Sequence, residues 1–298
     1  MSYLALPTHM NILTVVIGIV FVLLLLSLLA TTIMELLASF FHLRGRNLIK
    51  ALRNMLASSD TSEQLLEAFQ NNSLYKHLSQ QYSRTTQGPP SYVDAETFQS
   101  ILFEIILKGE GVDKLKEKID ELPDEDLRNV LNQLLRDSDN ELDKFKLGIE
   151  KWYNDVMDRA SGWYKRYAQK ILMWVGILIA LVFNADTFSI YSRLASDPAT
   201  LQQVVSMAES YVQTQEQTLV RPVDPSFEQS LNALQINTIR SPLGLGWAEA
   251  DFSDYGVYDW LAKILGYIVT ALAISLGAPF WFDLLRKIVN IRASGSKP

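Results

Sequence analysis

Apolar residues gather in three long stretches, 12–41, 171–185 and 260–282, and the chain between them carries apolar positions at helical spacing. Only Thr14, Ser27, Thr31, Thr32, Glu35 and Ser39 interrupt the first stretch. A hydrocarbon core of about 30 Å is crossed by roughly 20 helical residues, so this run spans with tilt and projects its last turns beyond the lipid. A secretory signal is the rival reading. No Lys or Arg precedes the run, and His42, Arg44 and Arg46 follow it where small residues would mark cleavage. The run is therefore read as a retained anchor, transmembrane helix 1, over 12–41. The second span, 169–188, is preceded by Trp163, Tyr164 and Tyr167. The third, 258–282, has Tyr255, Tyr258 and Trp260 at one end and Phe280, Trp281 and Phe282 at the other. Such aromatic belts mark the two membrane–water interfaces.

The polar segment after the first span reads as helical throughout. Leu48, Ile49, Leu52 and Leu56 repeat on one face. Asp60 and Glu63 resemble a capping box opening a helix with Leu65, Leu66 and Phe69, and a short helix with Leu74, Tyr75 and Leu78 follows. The clearest break is the loop 83–91, with Gly88, Pro89 and Pro90 at its end. A stripe of Phe98, Leu102, Ile105 and Ile106 stops at Gly109, and Pro123 with Asp124, Glu125 and Asp126 marks a fresh N-terminus. From about residue 139 an amphipathic stalk carrying Leu142, Phe145, Ile149, Trp152 and Val156 feeds into the second span, with Gly162 as the one place to bend. Beyond that span, Asp197-Pro198 suits the N-cap and first position of a helix, and the loop-rich remainder holds a short helix over 226–234.

Basic residues near span ends set the orientation, because Lys and Arg are retained in the cytoplasm. Arg44, Arg46, Lys50 and Arg53 follow the first span, Lys165, Arg166 and Lys170 precede the second, and Arg286, Lys287 and Arg292 follow the third. The segment from Asn184 to Val257 has only Arg193, Arg221 and Arg240 against nine acids from Asp186 to Asp254. The expected fold is an all-α integral membrane protein with three transmembrane helices, a helical cytoplasmic domain and a small extracytoplasmic region. Residues 1–11 form a short external N-terminus, 42–168 the cytoplasmic domain, 189–257 the extracytoplasmic region and 283–298 a cytoplasmic tail.

Composition narrows the function classes. A net charge of −6 argues against a nucleic-acid binder. The absence of Cys removes disulfides, thiolate catalysis and Cys-ligated zinc. His9, His42 and His77 show no metal spacing, and the acids from Asp120 to Asp126 lack the spaced ligands and central Gly of a calcium loop. No catalytic, cofactor-binding or metal residue is expected, and the chain is not read as an enzyme. The membrane charges have bland readings. Glu35 is an interfacial carboxylate paired with a base, Lys263 pairs with Asp259 at i, i+4 and snorkels outward, and Asp283 sits in an interfacial cluster with Arg286 and Lys287. Small residues mark close helix packing: Gly176 and Ala180 on the second span, and Gly266, Thr270, Ala273 and Gly277 on the third. Gly277-Ala278-Pro279 is expected to kink the third span.

The strings Pro90-Ser91-Tyr92 with Phe98, Trp152 to Arg159 leading to Gly162-Trp163-Tyr164-Lys165-Arg166, Asn184-Ala185-Asp186, and Leu276 to Leu285 resemble a family of uncharacterised bacterial inner-membrane proteins. The resemblance touches most of the chain and implies a bacterial membrane location, but no activity or site residue. The leading functional expectation is a membrane-anchored scaffold that docks a protein partner, or its own copies, through the cytoplasmic helices. A subunit of an oligomeric channel or transporter comes second, since the paired broken helices of transporters are not apparent. A transmembrane sensor comes third.

Overall fold

The computed structural model describes residues 8–57, 63–80, 88–139, 141–218, 245–247, 253 and 255–295. Among them every regular element is a helix. In chain order these are α1 (Thr8–Phe40), α2 (Leu43–Leu56), α3 (Glu63–Asn71), α4 (Ser73–Gln80), α5 (Ala95–Leu107), a 3₁₀ turn (Val112–Lys114), α6 (Leu115–Asp120), α7 (Glu125–Asp137), α8 (Leu142–Val182), α9 (Thr187–Ser196), α10 (Pro198–Thr218), α11 (Val257–Ser275) and α12 (Ala278–Gly295). They form two compact units, Met1–Leu36 with Ala168–Pro298, and Leu37–Tyr167.

The unit over Leu37–Tyr167 is built by amphipathic helices that share one core. On α7 the buried residues are Leu127, Leu131 and Leu135, each one turn from the last, and the first turns of α8 bury Phe145, Ile149 and Tyr153. That spacing puts them on one face of a 3.6-residue repeat. Their neighbours are Leu52, Leu56, Ile101, Leu102 and Ile119, all essentially inaccessible. At the centre the Phe98 and Tyr153 rings stack at 4.5 Å, with Phe69 5.4 Å from Phe98. Each such side chain contributes about 1.5–3 kcal/mol on burial. Helix ends are made locally. Asp94 caps α5 by accepting from the Thr97 amide at 2.7 Å, and Asp124 caps α7 through the Leu127 amide at 2.8 Å. The chain leaves α5 through Lys108 and Gly109, both left-handed, where the apolar stripe was expected to stop. Tyr153 donates its hydroxyl to the Val93 carbonyl at 2.6 Å, which ties α8 to the approach of α5. Gly45 faces Pro89 so closely that a Cβ would come within 2.6 Å of its carbonyl oxygen.

The other unit is organised around α1. From Val20 to Leu26 every residue is buried, although consecutive residues point all round the helix. A helix that is apolar on every side is either a lipid-exposed span or a core helix, and here protein supplies the cover. Leu194 of α9 and Leu201 of α10 approach Gly18, Tyr211 of α10 lies against Phe21, and the Ser27 hydroxyl donates to the Ile274 carbonyl on α11. The outward apolar surface belongs instead to α8, through Trp174, Leu178 and Val182, and to α11, through Leu261, Ile264, Leu265, Ile268 and Leu272. Exposed apolar area of this kind marks a surface that meets a membrane or another protein.

Two helices, Ile12–Phe40 and Val257–Ser275, are long and apolar enough to cross a membrane, and a third span exists if α8 and α9 are counted as one bent element. The spans expected at 169–188 and 258–282 are not continuous helices. The first breaks after Val182, where Asn184 turns left-handed and the direction changes by 50°. The second breaks after Ser275, where Gly277 is left-handed at φ +85° and Pro279 has no N–H to extend the ladder. Helix α8 runs without a break through Gly162, the one place where such a rod could bend.

One contact bears on the expected topology. Glu209 of α10 pairs with Arg292 of α12 at 2.9 Å, and the Tyr211 and Phe282 rings meet at 6.2 Å. An ion pair cannot straddle a hydrocarbon core of about 30 Å. The expected topology puts residues 189–257 and 283–298 on opposite faces, whereas α10 and α12 are in contact through these side chains. Asp60 of the expected capping box and the helix expected at 226–234 lie outside the described residues; Glu63 is the first residue of α3.

Candidate functional site

The break between α8 and α9 brings a set of polar side chains together. Asn184 takes the left-handed conformation, which its short amide side chain tolerates better than most. Its amide donates to the Gly246 carbonyl at 3.0 Å, and its carbonyl oxygen accepts from the Tyr267 hydroxyl at 2.5 Å. Asp186 then restarts the chain as the N-cap of α9, accepting from the Phe188 amide at 2.9 Å and the Ser189 hydroxyl at 2.7 Å. The Leu181 carbonyl at the end of α8 accepts from the Trp247 indole at 2.9 Å. Free backbone groups at a helix end are costly in an apolar setting, and here side chains satisfy them.

Helix α11 is shaped to receive this turn. A Cβ on Gly266 would overlap the Asp186 carboxylate, so only glycine lets the cap pack there. One turn on, the Thr270 hydroxyl donates to the Gly266 carbonyl at 2.8 Å, accepts from the Thr187 amide at 3.0 Å and meets the Thr187 hydroxyl at 2.7 Å. Because the single Thr270 proton is already committed, Thr187 is the donor in that last pair. On the preceding turn Lys263 is 5% exposed, and its ammonium sits 5.2 Å from the Tyr267 ring centre, within cation–π range.

A cavity of about 580 Å³ opens beside this cluster, between α9 and α11. Its α9 wall is Asp186, Ser189, Arg193 and Ser196, spaced by three or four residues and therefore on one helix face, with Ser192 alongside. Its α11 wall is Asp259 and Lys263, with Tyr255 at the approach. Two carboxylates and two cations thus share one cavity, beside the exposed apolar side chains of α11.

The expected site residues are distributed as follows. Lys263 does not snorkel; it is buried at the cavity wall, while the Asp259 carboxylate accepts from the Gly256 amide at 2.9 Å. The cap at Asp186 and the Tyr267 ring draw the lysine inward. Gly176 and Ala180 lie in helix contact, and a Cβ on Gly176 would stand 3.1 Å from the Ala271 carbonyl. Gly266 and Thr270 face the α8–α9 turn, whereas Ala273 uses its carbonyl to accept from the Trp281 indole at 2.7 Å. Gly277 serves backbone conformation rather than packing, since nothing but Pro279 lies near a Cβ there. Glu35 and Asp283 are exposed on α1 and α12. Asp186 and Arg193 were not singled out from the sequence. The signal was present, because Asp-Thr inside an apolar run is an N-cap pattern that a continuous span does not need. Among the described residues, no three His, Asp or Glu side chains come together as metal ligands.

Comparisons with protein-family models, curated proteins and solved structures find no match. The likeness to the bacterial inner-membrane family therefore rests on the quoted strings alone.

Proposed function

We propose that this chain is a membrane-anchored docking protein whose unit over Leu37–Tyr167 binds a protein partner, or a second copy, at the cytoplasmic face of a bacterial inner membrane. The observation that carries this reading is the contrast between the two units. One closes its apolar side chains into a core of its own, with charged residues such as Lys114, Glu110 and Lys144 outside. The other exposes apolar side chains on α8 and α11. A chain built that way holds a water-type helical module at a bilayer. The basic residues Arg44, Arg46, Lys50 and Arg53, with Lys165, Arg166 and Lys170, favour the cytoplasm for that module.

The test is co-purification from native membranes, with the mass of the detergent-solubilised complex. Deleting 48–139 should strip the partner or return the complex to single-chain mass, while the membrane fraction still contains the truncated chain. Retention of the full complex by the deletion would remove the docking reading. A second reading, a subunit of a channel or transporter, is favoured by buried Asp186 and Lys263 at a helix interruption, since ionisable groups at such breaks line solute paths. Flux into liposomes that disappears with Lys263→Met would support it.

A further inference from the structure

The cavity between α9 and α11 has an ordered charge distribution. The two helices run antiparallel along it: Thr187 at the start of α9 meets Thr270, whereas Arg193 and Ser196, further on, share the wall with Asp259 and Tyr255. One carboxylate and one cation therefore stand at each end, Asp186 with Lys263 at the inner end and Asp259 with Arg193 at the outer end. A volume of about 580 Å³ lies in the range of small-ligand sites, roughly 300–1,000 Å³. A site with both signs of charge selects a ligand that also carries both.

The surroundings indicate where such a ligand comes from. On α11 the wall residues Ala262 and Lys263 are interleaved with Leu261, Ile264 and Leu265, which are about half exposed. A single turn of helix thus has the cavity on one side and membrane-type surface on the other. Phe188 and Tyr191 on α9 and Tyr258 and Trp260 on α11 are exposed around it, as expected of side chains at the headgroup level. A ligand seated in the cavity has an apolar track immediately beside it.

We propose that this cavity binds the headgroup of a phospholipid carrying a primary amine and a phosphate, the ethanolamine type, with its acyl chains lying along α11. The carboxylates of Asp259 and Asp186 accept hydrogen bonds from the ammonium; Asp186 already receives two, and a carboxylate has about four acceptor sites. Arg193 and Lys263 donate to the phosphate oxygens, where charge-assisted bonds are strongest. A trimethylammonium headgroup donates no hydrogen bond to the carboxylates. A glycerol headgroup brings no cation to them. Free phosphoethanolamine shares the recognised chemistry but has no use for the apolar track.

The full chain is reconstituted in nanodiscs with equal amounts of phosphatidylethanolamine, phosphatidylcholine and phosphatidylglycerol, and the lipids retained after transfer to detergent are quantified by mass spectrometry. Phosphatidylethanolamine should be enriched about tenfold over each of the others, equivalent to about 1.4 kcal/mol of discrimination. Arg193→Gln and Asp259→Asn, both at the solvent end of the cavity, should each abolish the enrichment, whereas Glu150→Gln in the other unit should leave it intact. If a cavity variant fails to fold, the wild-type chain decides alone, because its melting temperature should rise with added phosphatidylethanolamine and not with phosphatidylcholine. Equal retention of the three lipids, or enrichment that survives both cavity variants, overturns the proposal. So does stabilisation of the delipidated chain by free phosphoethanolamine without enrichment of the lipid, which would make the ligand a soluble zwitterion.

Discussion

Asp94 shows how much of the polar unit rests on single side chains. Its two carboxylate oxygens accept from the Thr97 amide at 2.7 Å and the Thr97 hydroxyl at 2.8 Å. These bonds, the backbone one first, hold its carboxyl below the ordinary carboxylate range against a smaller opposing effect of burial. The bonds favour the ionised form, so their stabilisation is present above the unfolded value near 3.9 and is lost as pH falls through the lower folded value. Asp94→Ala should cost about 1 kcal/mol at neutral pH, as loss of an N-cap does. Denaturant unfolding of wild type and variant should show that gap at pH 7 and a narrower one below pH 3. An equal gap at both would mean that the carboxylate charge plays no part. Tyr75 and Tyr153 behave differently. Burial pushes the Tyr75 hydroxyl up to about 12 and that of Tyr153 higher still, so both remain neutral at physiological pH.

At the scale of elements, three glycines separate three physical roles. Gly162 lies within α8 with no atom within 4 Å of a built Cβ. Gly162→Ala should therefore stabilise by about 0.5–1 kcal/mol through helix propensity alone. Gly277 holds a left-handed turn between α11 and α12, and Gly277→Ala should cost about 1–2 kcal/mol from backbone strain. Gly266 receives the Asp186 cap, so Gly266→Ala drives a methyl group into a carboxylate and should cost about 1–3 kcal/mol or displace the α8–α9 turn. Thermal unfolding in detergent should rank Gly162→Ala above wild type, and both glycine variants of α11 and its turn below it. A neutral Gly266→Ala would mean that α9 and α11 do not pack as described.

At the scale of the molecule, the contact between α10 and α12 carries the most weight. Glu209 and Arg292 form an ion pair, and the Tyr211 ring bridges Phe21 and Phe282. The chain has no Cys, so paired cysteines can be introduced without background. Glu209→Cys combined with Arg292→Cys should cross-link with a short bis-maleimide in intact membranes, whereas either single variant should not cross-link within the chain. Absence of the intramolecular product would separate the two helices and restore the arrangement in which 189–257 and the C-terminal tail face opposite sides.

Local chemistry settles in the sequence what local structure needs. The caps at Asp124 and Asp197 and the stop at Gly109 are legible because each depends on residues within one helical turn. The apolar runs are equally legible, since hydrophobicity and length alone decide that helices such as Ile12–Phe40 are able to cross a membrane. Hydropathy sums over a window, however, and a window does not register one residue turning left-handed. Asn184 therefore interrupts a stretch that reads as continuous, whereas the break at Gly277 falls where Gly277-Ala278-Pro279 predicts a kink. Tertiary packing also decides which face an apolar helix buries. The most apolar span is the one enclosed by protein, and the more polar α11 meets the outside. Lys263 illustrates the same division. Its place one turn after Asp259 suggests a snorkelling pair, but the glycine at 266, three residues on, admits the Asp186 cap. The buried carboxylate and the Tyr267 ring then provide the lysine with a setting in the interior that sequence distance, 77 residues from Asp186 to Lys263, does not encode.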